Sequence, residues 1–465
     1  MSDDIARSLA HAKPVPYWWD DPERPETLPG LMHDVHADLL VVGGGYAGLW
    51  TALLAKERDP GREVVVIESH SCGHAASGRN GGFTEASLTH GFENGLARWP
   101  DDLPALLRMG RDNLHALGET VERYGIDCNF ELNGSLTVAT EDYQVEGLRE
   151  SATAMTEFGL KTELLDATGA RRRVASPTVK AAIYDPEAAL VEPARLAWGL
   201  REACRGIGVT VYEGTKALAI EDRGADVEVT TERAQIRAGQ VVLATNAYRP
   251  LLRRLRLMTV PVHDYALVTE PLTQAQRDAV RWHGREGIGD SGNQFHYVRQ
   301  TRDHRILFGG YDAIYHYASA TGPAYDQRPA TSRLLAEHFF TMFPMLEGLS
   351  FSHQWGGMID TSTQFSAFYG RAMRGKVTYA LGFTGLGVAA TRFAALVMLD
   401  LLAGRTTERT QLEMVRKRPL PFPPEPVRFA GIQATRWSLA RADAREGHEN
   451  LWLKLTDRLG LGFDS

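Results

Sequence analysis

The feature that most constrains the fold of this chain is a glycine-rich turn, Gly43–Gly48, set between an apolar run and a helical run. The run before the turn, residues 37–42, is short and apolar, as expected of a strand buried on both faces. A helical stretch from Leu49 to Arg58 follows, and a second apolar run, Glu63–Ile67, comes after it. Together they predict one strand–turn–helix–strand unit of a parallel sheet.

The three glycines of this turn have the spacing Gly-x-Gly-x-x-Gly, and each suits a different steric demand. Gly43 permits the tight turn, Gly45 lets backbone N–H groups approach a pyrophosphate, and Gly48 lets the helix pack against the strand. Glu68 ends the second strand, where a carboxylate accepts hydrogen bonds from a ribose and disfavours a 2′-phosphate. The unit therefore predicts a bound adenine dinucleotide, a site that also includes Tyr46, Ala47 and Ser69.

The rest of the chain favours FAD over NAD as that dinucleotide. Simple NAD dehydrogenases alternate strand and helix throughout, whereas here helices and an antiparallel-looking sheet are inserted after the first unit. A second glycine-rich segment, Ser77-Gly78-Arg79-Asn80-Gly81-Gly82, follows the ribose carboxylate. Its small residues suit close passage under an isoalloxazine ring, with Arg79 and Asn80 as donors. The alternative interpretation of this segment is an ordinary surface turn.

Composition narrows the class of protein further. The 465 residues are 43% hydrophobic and 23% charged, as in a globular chain long enough for two or three lobes. The net charge of −7 argues against a nucleic-acid partner. Three scattered cysteines make neither a disulfide framework nor a zinc site, so we expect a reduced, cytoplasmic protein without a metal. Charged residues interrupt the apolar stretch Tyr379–Gly404, which we therefore interpret as buried rather than membrane-spanning.

Local patterns divide the remaining chain into helices and strands. Pro104–Tyr124 and Asp142–Phe158 predict helices, and residues 208–245 predict strands with a hairpin turn at Asp222-Arg223-Gly224. The proline-rich stretch 13–30 predicts an extended arm whose Tyr17, Trp18 and Trp19 pack on the body or on a second subunit. The end of the chain, Ala434–Leu459, is amphipathic and predicts a packing or solvated helix.

With these segments in view, the chain resembles the FAD oxidoreductases of the D-amino acid oxidase and sarcosine oxidase type. It is most similar to the branch that resembles gamma-glutamylputrescine oxidase. The resemblance is carried by Val42–Gly48 with Glu68, by Ala76–Gly82 and by Gly382–Val388. Three further segments support it: Leu190–Leu196, Val241–Ala247 and Trp355-Gly356-Gly357.

The resemblance implies a two-lobed α/β fold. It has a Rossmann-type FAD-binding lobe, discontinuous in sequence, and a substrate lobe built of an antiparallel sheet and helices. The predicted boundaries are an N-terminal arm (1–35), the FAD-binding domain (36–100, 181–260 and 353–410), the substrate domain (101–180 and 261–352) and a proline-rich, helical tail (411–465).

The resemblance also implies further contacts with FAD. Backbone groups of Gly382, Thr384, Gly385, Leu386 and Gly387 would lie beside the flavin, where glycines before a helix form a nest of N–H groups. Ala217 would flank the adenine, and Thr245 and Asn246 lie in a supporting segment. Some relatives link the flavin through a histidine near this position. His74 is out of register by one residue, so we expect non-covalent FAD.

The chemistry of the family is oxidation of the CH–NH bond of a primary or secondary amine to an imine, with hydride transfer to flavin N5. Four candidate catalytic residues emerge: His296, Tyr297, Arg299 and Asp360. Strand alternation puts His296 on one face and Tyr297 with Arg299 on the other. Relatives that clamp a simple α-amino acid carry arginine where this chain has Ile359. That difference, with Asp360 beside it, favours a polyamine-derived or N-substituted amine.

Three functions stay open on the sequence alone. The first is an amine oxidase that passes electrons to oxygen and releases hydrogen peroxide. The second is a dehydrogenase that passes electrons to a quinone or another carrier, and the third is a flavoprotein kept as a binding partner. The expected partners are a small-molecule amine and an electron acceptor, without nucleic acid or a membrane span, and the oligomeric state is open.

Overall fold

The computed structural model describes residues 2–458 and contains two main sheets. The described strands are β1 (Val35–Val42), β2 (Val64–Ile67), β3 (Phe83–Glu85), β4 (Ser135–Ala139), β5 (Glu163–Asp166), β6 (Ala181–Asp185), β7 (Ala188–Leu190), β8 (Thr210–Tyr212), β9 (Ala217–Asp222), β10 (Val227–Thr231), β11 (Gln235–Leu243), β12 (Val260–Thr269), β13 (Gly287–Asp290), β14 (His296–Gln300), β15 (Ile306–Gly310), β16 (Ile314–Tyr315), β17 (Phe351–Thr361), β18 (Phe368–Ala372) and β19 (Val377–Leu381). The described α-helices are α1 (Ser2–Leu9), α2 (Tyr46–Arg58), α3 (Phe92–Arg98), α4 (Leu103–Arg123), α5 (Gln144–Glu157), α6 (Ala167–Arg173), α7 (Pro193–Gly206), α8 (Gln274–Val280), α9 (Pro329–Met342), α10 (Gly387–Leu402), α11 (Glu408–Gln411), α12 (Glu413–Arg416), α13 (Val427–Asp443) and α14 (Leu451–Arg458).

The first sheet has a parallel core in the order β19-β11-β1-β2-β8. Strand β18 pairs antiparallel with β19 at one edge, and the β9–β10 hairpin extends from β11. Helices α2 and α10 pack against each other over this sheet, and their apolar residues share one core with Val41 and Val66. Since all five core strands run the same way, their carboxyl ends meet at one edge.

The second sheet runs β16-β12-β15-β14-β13-β4-β6-β5, with β17 added along β12. Its pairs are antiparallel except for β13 with β4 in the described chain. Helix α9 packs on one face through Leu335, Ala336 and Phe339, which share a core with Leu267 and Phe308. The other face turns toward the first sheet. The predicted mixed α/β, two-sheet fold is thereby confirmed.

Several local predictions agree with the structure, and two sheet memberships differ from the predicted boundaries. The strand–turn–helix–strand unit and the hairpin at residues 222–224 are present. However, β6 and β17 pair with β4 and β12, so they belong to the second sheet, although 181–260 and 353–410 were placed with the first. Helix α10 begins at Gly387, which is the last residue of the glycine-rich segment Gly382–Gly387.

The N-terminal arm runs between the two lobes. Helix α1 packs against α9, and Lys13 pairs with Ser352 and Gln354 of β17 through backbone hydrogen bonds. Trp18 is buried in an apolar cluster that includes Trp198 of the first lobe and Trp355 of the second. Its indole N–H donates to the carbonyl of Asn80 at 2.9 Å. The arm therefore contributes to the packing between the sheets, as expected for its aromatic residues.

The C-terminal tail forms helices α13 and α14, where the sequence indicated one amphipathic stretch whose last residue, Leu459, lies outside the described residues. Asp443, at the end of α13, accepts a hydrogen bond from the side chain of Asn293 at 2.6 Å. The tail thus packs on the second lobe. None of the helices between residues 2 and 458 has the length and apolar character required to cross a bilayer.

Replacing Trp18 with alanine should destabilise the protein by about 3–5 kcal/mol, because the change leaves a cavity where both lobes meet. Urea unfolding followed by tryptophan fluorescence measures this loss. Trp437→Ala is the matched control, since that ring is 60% exposed on α13, and its effect should be small. Equal destabilisation by the two substitutions would contradict the role given to the arm.

Candidate active site

The carboxyl edge of the parallel sheet brings together the chain segments that the sequence predicted as dinucleotide-binding. The turn after β1 lies beside the end of β11, because the N–H of Ala244 donates to the carbonyl of Val42 at 2.9 Å. Helix α2 packs so tightly on this turn that a Cβ at Gly48 would overlap the carbonyl oxygen of Gly43. Thr245 and Asn246 follow β11 at the same edge.

The N-terminus of α2 points unpaired backbone donors at this edge. Gly45 is the N-cap residue and supplies no side-chain acceptor, while the N–H of Tyr46 donates to Ser77 Oγ at 2.9 Å. The N–H groups of Ala47 and Gly48, in the first turn, have no acceptor within the helix. Together with the helix dipole, they suit a bound anion such as a pyrophosphate.

Glu68 lies at the end of β2 with its carboxylate held at the same edge. Oε2 accepts from the N–H of Gly44 at 2.7 Å, and Oε1 accepts from the N–H of His70 at 2.9 Å and from Ser69 Oγ at 3.0 Å. The carbonyl of Glu68 accepts from the N–H of Thr215 at 2.7 Å, which brings the segment before Ala217 and β9 alongside. The carboxylate therefore fits the ribose of an adenine nucleotide whose base lies near this segment.

The segment 76–82 forms a short 3-10 helix and then a loop that Asn80 fastens internally. Asn80 Nδ2 donates to the carbonyl of Ala76 at 2.9 Å, and Oδ1 accepts from the N–H of Gly82 at 2.8 Å. Arg79 reaches instead to the second lobe, where Nη1 pairs with Asp326 at 2.7 Å and donates to the carbonyl of Gly356 at 3.0 Å. Both predicted donors thus hold the segment in place.

The segment Gly382–Gly387 connects β19 to α10 and is held by Asp360. The N–H of Gly382 donates to Asp360 Oδ2 at 2.6 Å, and the N–H of Thr384 donates to the backbone carbonyl of Asp360 at 2.9 Å. Leu386 caps α10 without a side-chain hydrogen bond, so this helix also presents unpaired N–H groups. Gly385 lies at positive φ within the segment.

Burial raises the pKa of the Asp360 carboxyl to about 6, although the N–H of Gly382 and the hydroxyl of Thr259 lower it. The register of β12 with β17 places Asp360 opposite Pro261. On β17, side chains alternate between faces, so Asp360 lies on the face away from Ile359. The structure therefore brings Asp360 to a glycine segment of the first lobe rather than to the space between the sheets.

The opposite face of these two strands turns toward the first lobe, and we call the partly exposed space beside it the cleft. Asp264 pairs with Gly357 and Val262 pairs with Ile359 in the β12–β17 ladder, and directly paired residues share a face. These four residues are partly exposed, although β12 lies inside the sheet. The Cδ1 atom of Ile359 lies 3.9 Å from the position of a Cβ on Gly385. The cleft therefore adjoins the segment that precedes α10.

Tyr297 and Asp264 form a hydrogen-bonded pair on the cleft face. The Tyr297 hydroxyl donates to Asp264 Oδ2 at 2.7 Å, and the N–H of Tyr265 donates to Oδ1 at 2.8 Å. Gly309 lies opposite Tyr297 on β15, where any Cβ would clash with the tyrosine ring. The ring therefore crosses β15 to reach Asp264, and its other edge lies 2.9 Å from the position of a Cβ on Gly81.

Asp264 is a site residue that the sequence analysis missed. Burial raises its pKa to about 6, while the hydrogen bond from Tyr297 lowers it. Burial and the neighbouring Asp264 charge raise the pKa of the Tyr297 hydroxyl well above its usual value. The one available signal was a carboxylate inside the otherwise apolar and aromatic run of β12, a residue type that seldom occupies a central strand without a partner.

Arg299 and His296 lie on opposite sides of the second sheet, as strand alternation predicted. Arg299 is fully buried on the cleft side and donates to the carbonyls of Gly81, at 3.3 Å, and Val191. Burial lowers the pKa of its guanidinium to about 10. Its donors therefore hold the second glycine-rich segment, residues 76–82.

His296 faces α9 instead of the cleft. Its Nδ1 lies 2.6 Å from Asp290 Oδ2 and its Nε2 lies 2.9 Å from His338 Nδ1, while its ring stacks on Tyr311. The side chain is thus separated from Tyr297 by the thickness of the sheet. Two of the four predicted catalytic residues, Tyr297 and Arg299, lie on the cleft side, and the other two, His296 and Asp360, do not.

His74 precedes the second glycine-rich segment and stacks against two other rings. Its imidazole stacks on Trp19 at 4.7 Å and on His70 at 4.4 Å between ring centroids. Burial lowers the pKa of His74 to about 4, so the ring is neutral near pH 7. The arm residue Trp19 therefore covers one side of this histidine.

Comparison with known proteins gives a consistent family. Residues 38–401 match the family described as FAD dependent oxidoreductase (DAO). Gamma-glutamylputrescine oxidoreductase of Escherichia coli is 31% identical over 382 residues, which is 80% of this chain and 85% of that protein. Probable oxidoreductase OrdL of Haemophilus influenzae is 28% identical over 400 residues, 83% of this chain and 88% of that protein. The crystal structure of glycine oxidase from Geobacillus kaustophilus has a TM-score of 0.70 at 20% identity and covers 83% of this chain and 99% of its own.

Asp360→Asn should change the pH dependence of stability. The folded pKa of about 6 lies above the usual value of 3.8, so this carboxyl favours the folded state below pH 4 and loses that contribution as pH rises toward 6. Relative to wild type, the variant should therefore gain about 1 kcal/mol between pH 5 and pH 7. Melting temperatures of both proteins across this range measure the gain, and a constant difference between them would contradict it.

Proposed function

Because this chain belongs to the family of FAD-dependent oxidoreductases, we propose that it binds FAD non-covalently and oxidises a primary or secondary amine. The CH–NH bond becomes an imine, which water hydrolyses, and oxygen takes up the two electrons with two protons as hydrogen peroxide. The observation that carries this proposal is the position of two helix N-termini and Glu68 at one sheet edge, facing a cleft lined by Tyr297 and Ile359.

The residues at the sheet edge fit FAD segment by segment. The first turn of α2 would hold the pyrophosphate, Glu68 the ribose, and residues 382–387 the flavin end. FAD supplies the chemistry at this site by accepting a hydride from the carbon next to the amine nitrogen. The register of His74 supports a non-covalent cofactor, because it differs by one residue from the histidine that links the flavin in some relatives.

The second lobe would orient the amine and limit the access of water. Trp18 and Trp355 pack where the lobes meet and exclude solvent from that side of the cleft. The apolar Ile359 provides no partner for a carboxylate next to the reacting carbon. A substrate with a polar group farther along its chain is therefore favoured over a small free α-amino acid. The same face holds the hydroxyl of Tyr297 in a fixed direction through Asp264.

Anaerobic reduction of the bound flavin by a panel of compounds tests the substrate class. The panel contains polyamines, acylated diamines, N-methyl amino acids, and D- and L-amino acids, and stopped-flow absorbance gives each rate. We expect the fastest reduction with a polyamine or an acylated diamine. Fastest reduction by glycine or a D-amino acid would contradict the proposal, as would a flavin that no amine reduces.

Reoxidation of the reduced protein identifies the electron acceptor. We expect one hydrogen peroxide for each amine oxidised, with oxygen reacting faster than a soluble quinone. Slow reaction with oxygen and fast reaction with the quinone would instead identify a dehydrogenase. The two outcomes leave the proposed amine chemistry unchanged and differ in the acceptor alone.

Gly45→Val should abolish flavin binding. A Cβ at this position lies 3.0 Å from Ser77 Oγ, and the valine methyl groups would fill the space in front of the α2 N-terminus. The ratio of flavin to protein absorbance after purification measures occupancy. Gly147→Val on α5 is the control, since nothing lies within 4 Å of a Cβ there, and it should keep its flavin. Full occupancy in Gly45→Val would count against this placement of the pyrophosphate.

A further inference from the structure

We propose that Asp264, held by Tyr297, binds the ammonium group of a cationic substrate and so determines which amines this protein accepts. The inference rests on the proposed amine oxidation and adds the residue and the charge that select the substrate. It assigns a binding role to a carboxylate that the sequence analysis did not single out. The substrate class that follows is an amine with a second, protonated nitrogen away from the reacting carbon and no carboxylate beside that carbon. The reacting nitrogen is neutral, as loss of hydride from the adjacent carbon requires.

The position of Asp264 supports a contact with a ligand in the cleft. It lies near the middle of β12, on the face that borders the first lobe, and it is partly exposed despite its place inside the sheet. Its direct cross-strand neighbour is Gly357, and the aliphatic part of Arg79 lies beside that glycine, with its Cβ 3.5 Å from the position of a Cβ on Gly357. Ile359, diagonally across the same face, adjoins the segment that precedes α10. A ligand at this carboxylate would therefore lie next to the predicted flavin site.

The hydrogen-bond donors of Asp264 are all neutral groups. They are the hydroxyl of Tyr297 and the backbone N–H groups of Tyr265 and Gly310. A carboxylate accepts about four hydrogen bonds, so it has capacity for further donors. An ammonium placed against it would form a charge-assisted contact in a partly desolvated site.

The charged residues around the cleft are otherwise committed to protein partners. Arg79 pairs with Asp326 at 2.7 Å, and Arg299 donates to backbone carbonyls of the first lobe. Asp360 accepts from the N–H of Gly382 on the other face of the sheet. Among these groups, Asp264 is the carboxylate that borders the cleft, and in the described chain it forms no ion pair with a lysine or arginine, although the charge of His296, on the other face of the sheet, also acts on it. The local charge therefore favours a cationic ligand.

Tyr297 makes the carboxylate rigid and thus selective. Its ring crosses β15 over Gly309, and the hydroxyl fixes one Asp264 oxygen at 2.7 Å. A carboxylate held in one rotamer loses less entropy when it binds an ammonium than a mobile one does. We therefore describe Tyr297 as the positioning residue for Asp264.

A non-oxidisable cation tests this site apart from catalysis. Butyltrimethylammonium carries a fixed positive charge and no N–H, and pentanoate has a similar length with the opposite charge. Titrating each into the oxidised holoenzyme at pH 8, where a carboxyl with a pKa of about 6 is ionised, gives a dissociation constant from the flavin absorbance change. We expect Asp264→Asn to weaken binding of this cation by about 10-fold, because one charge–charge contact in a partly desolvated site is lost, and to strengthen pentanoate binding.

Asp290→Asn is the matched control, because that carboxylate contacts His296 on the opposite face of the same sheet. It should leave both dissociation constants within about twofold of wild type, the spread expected of a site that does not touch the ligand. Equal effects of the two variants, or unchanged cation binding in Asp264→Asn, would overturn the proposal. If Asp264→Asn weakens cation binding and strengthens pentanoate binding, the cause is the lost charge, because a general disruption of the site would weaken the binding of both.

Ile359→Arg provides a second test if Asp264→Asn does not fold. The new guanidinium would lie diagonally across from Asp264, within reach of a long side chain, and would pair with it. Cation binding should fall and pentanoate binding should rise, whereas Leu164→Arg, which adds the same charge at an exposed position of β5, should change neither. Unaltered preference in Ile359→Arg would also overturn the proposal. If no amine reduces the flavin of the wild-type protein, the proposed function is wrong. The cation titration still tests the role of Asp264 in that case, since it does not depend on turnover.

Discussion

Unpaired backbone N–H groups at the carboxyl edge of the parallel sheet are the constraint on which the rest of this structure depends. Two helices, α2 and α10, begin at that edge after glycine-rich segments, and neither has a side-chain cap. Such segments lack side chains that would fix their own conformation. The second lobe supplies the missing contacts: Asp360 holds Gly382, and Arg299 holds Gly81. The anion-binding edge is therefore preorganised by residues from the other sheet.

This arrangement explains why two of the predicted catalytic residues lie where they do. Asp360 and Arg299 are charged residues on strands next to glycine-rich loops, a pattern that fits both substrate binding and loop support. Local sequence does not distinguish these functions, because the partner of each side chain comes from a segment far away in the chain. The structure records backbone groups of the first lobe as partners of both side chains.

The sequence predicted those features that depend on nearby residues. The turn before α2, the position of Glu68 and the β9–β10 hairpin follow from glycine sterics and short-range patterns. The alternation of side chains along β14 also predicted that His296 and Tyr297 lie on opposite faces of the sheet. It did not predict which face meets the first lobe, since that depends on how α9 covers the sheet. Asp264 could not be predicted from the sequence, because the exposure of a carboxylate on a central strand depends on the space between the two lobes.

Strand β17 both supports the glycine-rich segment of the first lobe and lines the cleft. Its residues alternate between supporting the first lobe and lining the cleft. Asp360 contacts Gly382, while its neighbour Ile359 lies beside Val262 on the cleft face. Its pairing with β12 spans a long stretch of sequence, which explains why the predicted boundary at residue 353 divided the strand between two domains. Because consecutive side chains point to opposite faces, the side chain that borders the cleft can change while the neighbouring support of the segment 382–387 is retained. Under the proposed function, substrate preference can therefore vary without loss of the predicted FAD site.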